Sequence, residues 1–287
     1  MTSVGEAIRN LARRLGAAGV ATPMLDARLL AEAALNLSHA ELILRETDVM
    51  APDGMVRLEA MAARRLAREP VSRILGRREF HWLEFAINRY VLDPRPDSEL
   101  LVDTVLAALG PGDGAGLRIL DLGTGSGCLL ISLLAVLPGA RGLGVDISEE
   151  ALACARGNAV RLGVGERAGF VRANWLSGLE GRFDVLVSNP PYIGTDELDR
   201  LQPEVARYDP VLALDGGVRG LEPYRAIMKE AGRVMTPGGL VFFEIGAGQG
   251  FDVRRLMRGS GVAAARIHAD LAGLDRVVGG RFTGNSS

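Results

Sequence analysis

The chain has 287 residues, of which 48% are apolar and 24% charged; this is the composition of an ordinary globular protein with room for two domains. Its net charge of −2 and pI near 6.0 create no overall positive field, so we expect no stable binding to nucleic acid or to acidic membranes. Two cysteines provide no disulfide framework and no apolar run is long enough to span a bilayer, so we expect a cytoplasmic protein.

About the first 80 residues carry apolar side chains at helical spacing, which predicts a small helical bundle. Thr22-Pro23 has the pattern of an N-cap followed by proline at the first helical position. Ser38 and Glu41 have the spacing of a capping box, and residues 55–68 form an alanine-rich helical segment. We therefore expect an N-terminal helical domain over residues 1–78.

The pattern changes at residue 79, where aromatic and β-branched residues predict a hairpin linker over residues 79–96. Strands and helices then alternate over residues 97–287, with fraying expected at 283–287. The predicted strands are 118–122, 142–146, 169–173, 183–189, 240–244, 265–268 and 276–281, and the predicted helices are 97–109, 127–137, 148–162, 222–234 and 249–259. This alternation predicts a doubly wound α/β fold with a mostly parallel sheet.

A glycine-rich turn connects the first of these strands to the following helix. Gly123, Gly125 and Gly127 allow the backbone to turn sharply and to approach a ligand closely at the switch point of the sheet. Such a loop is common to many nucleotide-binding folds. Cys128 stands where a dinucleotide site usually has a third glycine or an alanine, which argues against a dinucleotide.

Two aspartates and an Asn-Trp pair near this turn each have two interpretations. Asp146 ends the next strand, where a carboxylate can bind both ribose hydroxyls or can cap the following helix. Asp121 belongs either to the ligand site or to the hydrogen bonds that order the loop. Asn174 and Trp175 follow the third strand, where contacts to adenine are expected, and the alternative for Trp175 is an aromatic side chain of the core.

Asn189, Pro190, Pro191 and Tyr192 follow the buried strand that begins at Phe183. Proline lacks the amide hydrogen that a central strand requires, so the strand must end here in a rigid turn. Asn189 offers a side-chain carbonyl, the turn offers a main-chain carbonyl, and Tyr192 offers a flat ring. This combination suits a planar substrate group that carries NH2, whereas the alternative is a plain exit from strand to loop.

Taken together, the motifs resemble the release-factor glutamine methyltransferases, the HemK/PrmC family. The resemblance covers residues 20–280 and adds a helical N-terminal region to the glycine loop and the Asn-Pro-Pro-Tyr segment. Its further signatures are Ile74–Gly76, Glu79-Phe80, Pro94–Leu101, Ala213–Gly217, Tyr224-Arg225 and Asp275–Val278. The chain departs from the family at Asn174, where aspartate is usual, and at Asp97-Ser98, where the family usually has Glu-Thr.

The resemblance implies a Rossmann-like, seven-stranded methyltransferase sheet preceded by a small helical-bundle domain that recognises the substrate. The family transfers a methyl group from S-adenosylmethionine, without a metal, to the side-chain amide nitrogen of glutamine in the Gly-Gly-Gln motif of peptide-chain release factors; the product is S-adenosylhomocysteine. The implied cofactor residues are Asp121, Gly123, Thr124, Gly125, Ser126, Gly127, Asp146, Asn174, Trp175 and Asn189. The implied substrate-binding residues are Asn189, Pro190, Pro191 and Tyr192, with Asn189, Pro190 and Tyr192 catalytic.

Several alternatives stay open at this level. Methylation of glutamine on a ribosomal protein would use the same chemistry, and adenine methylation of nucleic acid would need a base-flipping pocket and a basic track. A cofactor-binding module without catalysis is disfavoured by the intact Asn-Pro-Pro-Tyr segment. The seven arginines and two glutamates of residues 57–78 indicate either a surface that docks an acidic partner or a solvated helix face.

Overall fold

The computed structural model describes residues 2–284. Fraying was expected at 283–287, and residues 285–287 of that segment lie outside the described residues. Two compact units are present. The first contains the chain up to Arg77 together with Gln202–Tyr208, and the second contains Arg78–Leu201 and the chain from Asp209 onward. The predicted hairpin therefore lies in the second unit, and a short segment from the middle of the chain lies in the first.

Helices and strands are numbered in chain order. The α-helices are α1 (Val4–Ala17), α2 (Pro23–Leu35), α3 (His39–Leu44), α4 (Pro52–Leu66), α5 (Val71–Leu75), α6 (Glu99–Leu109), α7 (Cys128–Val136), α8 (Glu149–Arg161), α9 (Pro203–Tyr208), α10 (Glu222–Val234) and α11 (Gly250–Gly259). The strands are β1 (Arg77–Phe80), β2 (Leu83–Ala86), β3 (Arg118–Leu122), β4 (Arg141–Asp146), β5 (Ala168–Arg172), β6 (Phe183–Ser188), β7 (Met235–Glu244), β8 (Val262–Ala269) and β9 (Asp275–Phe282). Short 3-10 helices span Pro96–Ser98, Thr195–Arg200 and Val211–Ala213.

The first unit packs α1, α2 and α4 around a core of leucine and alanine side chains. The predicted capping box at α3 is confirmed, because Ser38 and Glu41 each accept a hydrogen bond from the other's main-chain amide. Thr22 does occupy the N-cap position of α2, but its side chain caps no amide. Its hydroxyl instead donates to Asp26 Oδ1 at 2.9 Å, so the start of α2 relies on Pro23 at the first position.

Helix α9 is held in the first unit by partly buried ion pairs. Glu204 accepts hydrogen bonds from Arg65 at 3.1 Å and from Arg68 at 2.7 and 2.8 Å, and Arg65 also donates to Asp26 at 2.7 Å. Arg65 is 6% exposed. Four arginines of the arginine-rich stretch, Arg57, Arg64, Arg65 and Arg68, are therefore paired with carboxylates of the same unit.

A seven-stranded sheet forms the centre of the second unit, with the strand order β5-β4-β3-β6-β7-β9-β8. The first five strands in this order are parallel, and β9 pairs antiparallel with both β7 and β8. Val185, Leu186 and Val187 of β6 alternate between two buried clusters, so both faces of the sheet are covered. The predicted doubly wound, mostly parallel fold is confirmed.

The strand order reverses at β3, which has β4 on one side and β6 on the other. In open α/β sheets this reversal leaves a crevice at the carboxyl ends of the strands, because the following loops diverge in opposite directions. The sheet therefore brings the ends of β3, β4 and β6 together around one crevice. Within residues 2–284, no helix combines the length and the apolar character needed to cross a bilayer.

Candidate active site

A cavity of about 490 Å³ lies at the carboxyl ends of these strands, entirely within the second unit. Its wall contains most of the residues singled out from the sequence. They are Gly123, Thr124, Gly125, Ser126, Asp146, Asn174, Trp175, Asn189 and Pro191. Four other predicted site residues, Asp121, Gly127, Pro190 and Tyr192, do not line the cavity but stand directly beside residues that do.

The glycine loop is fixed to the neighbouring strand by its own backbone. The amides of Gly123 and Thr124 both donate to the carbonyl oxygen of Val145 in β4, at 2.8 and 2.9 Å. Gly123, Gly125 and Gly127 have φ angles of 70°, 55° and 82°, in the left-handed region that favours glycine. At Gly127 a β-carbon would also meet Ile131 Cδ1 of α7 at 2.8 Å and Ala155 Cβ of α8 at 3.2 Å, so glycine leaves room for the side chains of these two helices.

Asp146 is held in place by main-chain amides at both carboxylate oxygens. Gly125 donates to Oδ2 at 2.9 Å and Ser148 donates to Oδ1 at 3.0 Å. The cap of α8 is Ser148, whose hydroxyl accepts from the amide of Ala151, so Asp146 is not the helix cap. A carboxylate oxygen can accept more than one hydrogen bond, so Asp146 keeps acceptor capacity on the cavity wall.

Asp121 lies beneath the loop rather than in the cavity wall. It is fully buried and accepts a hydrogen bond of 2.6 Å from the hydroxyl of Thr124. Burial raises the pKa of Asp121 to about 7, against the opposing effect of the Thr124 hydroxyl. Its other oxygen has no hydrogen-bond partner among residues 2–284. The geometry matches the loop-ordering interpretation of this aspartate.

Trp175 serves both the core and the cavity. Its backbone is left-handed, with φ of 53°, and its indole ring lies close to the glycine loop: a β-carbon built on Gly123 would be 3.6 Å from Cζ3. The ring packs against the main buried cluster and also lines the cavity beside Asn174. A flat apolar face of this kind, next to an amide, can accommodate a purine ring.

The strand β6 ends at Ser188, one residue before the predicted end at Asn189, and the Ser188 hydroxyl donates to the carbonyl of Leu122 at 2.6 Å. The side-chain NH2 of the next residue, Asn189, donates to the hydroxyl of Ser98 at 3.2 Å. Asn189 lines the cavity, and with its nitrogen bonded to Ser98 the side-chain oxygen is the end of the amide that is left to accept a hydrogen bond.

Tyr192 packs inward instead of facing the cavity. Its ring lies against the main buried cluster, and burial raises the pKa of the phenol to about 12, with the charge of Glu244 adding to the effect. The main-chain carbonyl of Tyr192 accepts a hydrogen bond of 2.9 Å from the side-chain amide of Gln249, which fixes the turn. Pro190 is also buried, so its ring and that of Tyr192 give the turn its rigidity.

Sequence reasoning assigned no role to three polar residues beside the turn: Ser98, Glu244 and Gln249. Glu244 ends β7 and is 1% exposed, although the preceding residues of the strand are apolar. A charged residue at the end of such a run is the signal that was available in the sequence, because carboxylates are seldom fully buried without a partner. Within the described chain, no group of three or more His, Cys, Asp or Glu side chains is arranged to hold a metal ion.

The strand order, the glycine loop at its switch point and the cavity at the carboxyl ends define a Rossmann-like methyltransferase domain. Two family models match the chain: the PrmC N-terminal domain over residues 6–76 and the methyltransferase small domain over residues 93–203. A release factor glutamine methyltransferase of Rhodospirillum rubrum is 47% identical, covering 95% of this chain and 83% of that protein. One of Agrobacterium fabrum is 45% identical, covering 93% of both chains.

The chain belongs to the release factor glutamine methyltransferase family. A more distant solved structure, the hMettl16 catalytic domain in complex with a 3'UTR hairpin, is 14% identical with a TM-score of 0.56. The match covers 84% of each chain, and at this identity it supports the fold alone.

Proposed function

We propose that this protein transfers a methyl group from S-adenosylmethionine to the side-chain amide nitrogen of the glutamine in the Gly-Gly-Gln motif of peptide-chain release factors. Family membership supports the reaction class and the substrate. The observation that carries the proposal is Asn189, whose NH2 group is bonded to Ser98 while its side chain borders the cavity. The free oxygen is the acceptor that a glutamine NH2 requires.

The residues around the cavity fit the proposed cofactor. Asp146 retains acceptor capacity for two ribose hydroxyls, and its position is fixed by Gly125 and Ser148. Trp175 offers a flat face for adenine, and Asn174 beside it offers an amide oxygen for the adenine amine. S-adenosylmethionine, when bound, supplies an electrophilic methyl group on its sulfonium. Asp121 acts indirectly, by holding Thr124 and therefore the loop.

An amide nitrogen is a poor nucleophile because its lone pair is delocalised into the carbonyl group. Asn189 Oδ1 and the main-chain carbonyl of Pro190 would accept the two NH2 hydrogens of the substrate and hold the nitrogen in line with the methyl group. The acceleration then comes from positioning and electrostatics. No strong base is required, because an N-protonated, N-methylated amide is very acidic and loses its proton readily. Tyr192 and Pro191 keep the turn rigid beneath the substrate.

Peptide mapping by mass spectrometry tests the substrate. Purified protein and S-adenosylmethionine are incubated in parallel with a bacterial release factor and with bacterial ribosomal proteins. We expect one methyl group on the Gly-Gly-Gln glutamine of the release factor and none on the ribosomal proteins. Methylation of a ribosomal protein alone would overturn the proposed substrate, and glutamine methylation would remain the chemistry only if the methyl group maps to a glutamine.

A further inference from the structure

A buried carboxylate stands directly behind the Asn189 side chain. Glu244 is the last residue of β7, and the pairing of Ser188 with Phe243 places Glu244 level with Asn189 on the neighbouring parallel strand. Side chains at paired positions of adjacent strands lie on the same face of a sheet. Glu244 is 1% exposed and does not line the cavity, so it acts through its neighbours rather than on a substrate.

Glu244 lies beside a hydrogen bond that starts at Asn189. The Asn189 NH2 donates to the Ser98 hydroxyl at 3.2 Å, and both of these side chains lower the pKa of Glu244. Burial acts in the opposite direction and is the larger effect, so the pKa of Glu244 is raised to about 7. One carboxylate oxygen, Oε2, has no hydrogen-bond partner among residues 2–284.

The charge of Glu244 favours one orientation of the Asn189 amide. An ionised carboxylate accepts hydrogen bonds and cannot donate them, so its charge favours the Ser98 hydroxyl with its proton turned toward Glu244. In that orientation the hydroxyl presents only lone pairs to Asn189, which therefore donates a hydrogen bond from its NH2 group. A flipped amide would set the oxygen of Asn189 against the oxygens of Ser98 and Glu244, which is repulsive in a buried site.

We propose that Glu244 is a positioning residue of the methyl transfer, which through Ser98 holds the Asn189 amide with its oxygen toward the substrate. The inference rests on the proposed function, since it concerns the acceptor that binds the reacting amide. A neutral group at position 244 removes this control. It can donate to Ser98, whose proton is then free to point at Asn189, and both orientations of the amide become accessible.

Activity should therefore follow the ionisation of Glu244. Charged and titratable groups near it come from several elements, and they are Asp97 of the 3-10 helix before α6, Cys128 of α7, Tyr192 after β6, Tyr224 of α10 and Arg276 of β9. Both tyrosine pKa values are raised, so neither phenol ionises near neutral pH. We expect kcat to rise with pH through about 7 as the carboxyl group loses its proton.

Two substitutions test this arrangement, one at the carboxylate of Glu244 and one at the hydroxyl of Ser98. In Glu244→Gln and in Ser98→Ala we expect kcat to fall roughly 30- to 100-fold, as for a misplaced reacting group. The kcat of Glu244→Gln should also lose its dependence on pH near 7. Affinity for S-adenosylhomocysteine, measured by calorimetry, should stay at the wild-type value. Matched controls are Asp184→Asn at the other end of β6 and Ser132→Ala in α7, which lie outside the site.

The outcomes separate this inference from the function on which it rests. Wild-type protein that methylates no release factor overturns the proposed function and this inference with it. Wild-type activity combined with an unchanged kcat and pH profile in Glu244→Gln overturns the inference alone. A fall in kcat equal to that of the two controls, or accompanied by lost S-adenosylhomocysteine binding, would show a structural role and would equally contradict it.

Discussion

Asn189 is the single residue on which the proposed chemistry depends most. Replacing it with alanine removes the acceptor for the substrate amide but leaves the loop, Asp146 and Trp175 in place. We expect Asn189→Ala to lower kcat at least about 100-fold. Binding of S-adenosylhomocysteine, measured by calorimetry, should persist.

The exposed Asn10 of α1 provides a matched control, and Asn10→Ala should have wild-type kinetics. Unchanged turnover in Asn189→Ala would contradict the role given to this side chain.

We expect Asp121 to affect the free energy of unfolding of the protein and not only its turnover. Its pKa is raised to about 7 in the folded protein by burial, against a value near 4 in an unfolded chain. A raised carboxyl pKa means that the folded state holds the proton more tightly than the unfolded chain. The contribution of this proton to the free energy of unfolding is therefore complete below about pH 4 and is lost as the pH rises through about 7.

The substitution Asp121→Asn removes this titration. The free energy of unfolding of Asp121→Asn relative to wild type should therefore increase between about pH 5 and pH 8, by about 2 to 4 kcal/mol. Urea denaturation at the two pH values measures the change. A difference that stays constant with pH would show that Asp121 does not titrate in this range.

Among the secondary-structure elements, helix α9 is held in position by the side chains of a few charged residues. Glu204 accepts from Arg65 and Arg68, and although burial raises its pKa, these hydrogen bonds hold the pKa below the ordinary value. We expect Glu204→Gln to lower the free energy of unfolding by about 1 to 3 kcal/mol, because two arginines lose a partly buried anionic partner.

A surface ion pair of the same unit provides the comparison. Glu59 binds Arg14, with half of the Glu59 side chain exposed, so Glu59→Gln should change the stability by less than about 1 kcal/mol. Equal effects in guanidinium denaturation would mean that Glu204 does not anchor α9.

Elements with a regular apolar period were predictable and those without one were not. The buried runs of β3 and β6 and the amphipathic α10 agree with the sequence-based bounds to within two residues. No element was predicted between residues 193 and 221, where the structure has two 3-10 helices and α9. These short elements carry no apolar run of their own, and α9 is stabilised by Arg65 and Arg68, which are remote in sequence.

Within the site, the residues of the cavity wall were predictable from local sequence patterns, whereas the buried residues behind the wall were not. Glycine, proline and Asn189 limit the local backbone or offer an acceptor, so their position after β3 and β6 was enough to predict them. Glu244 and Ser98 are recognised only when β7 and the start of α6 come together at Asn189, a contact between distant parts of the chain. Tyr192 was expected to face the substrate, yet its half-buried ring packs against the core cluster and does not line the cavity.

For the whole molecule, the cavity lies in only one of the two units. Ligand binding should therefore slow amide hydrogen exchange in that unit alone, because local opening there is opposed by bound ligand. With saturating S-adenosylhomocysteine we expect added protection at residues 123–127, 145–148 and 173–175, and none in α1, α2 or α4. Equal protection of the helical unit would contradict the assignment of the cofactor site to the second unit.

The most direct test of the central claim is the transfer of a radiolabelled methyl group from S-adenosylmethionine to a purified bacterial release factor. A matched factor with alanine in place of the Gly-Gly-Gln glutamine serves as the control. The account predicts label on the native factor and background counts on the control. Equal labelling of both factors, or label on neither, would contradict it.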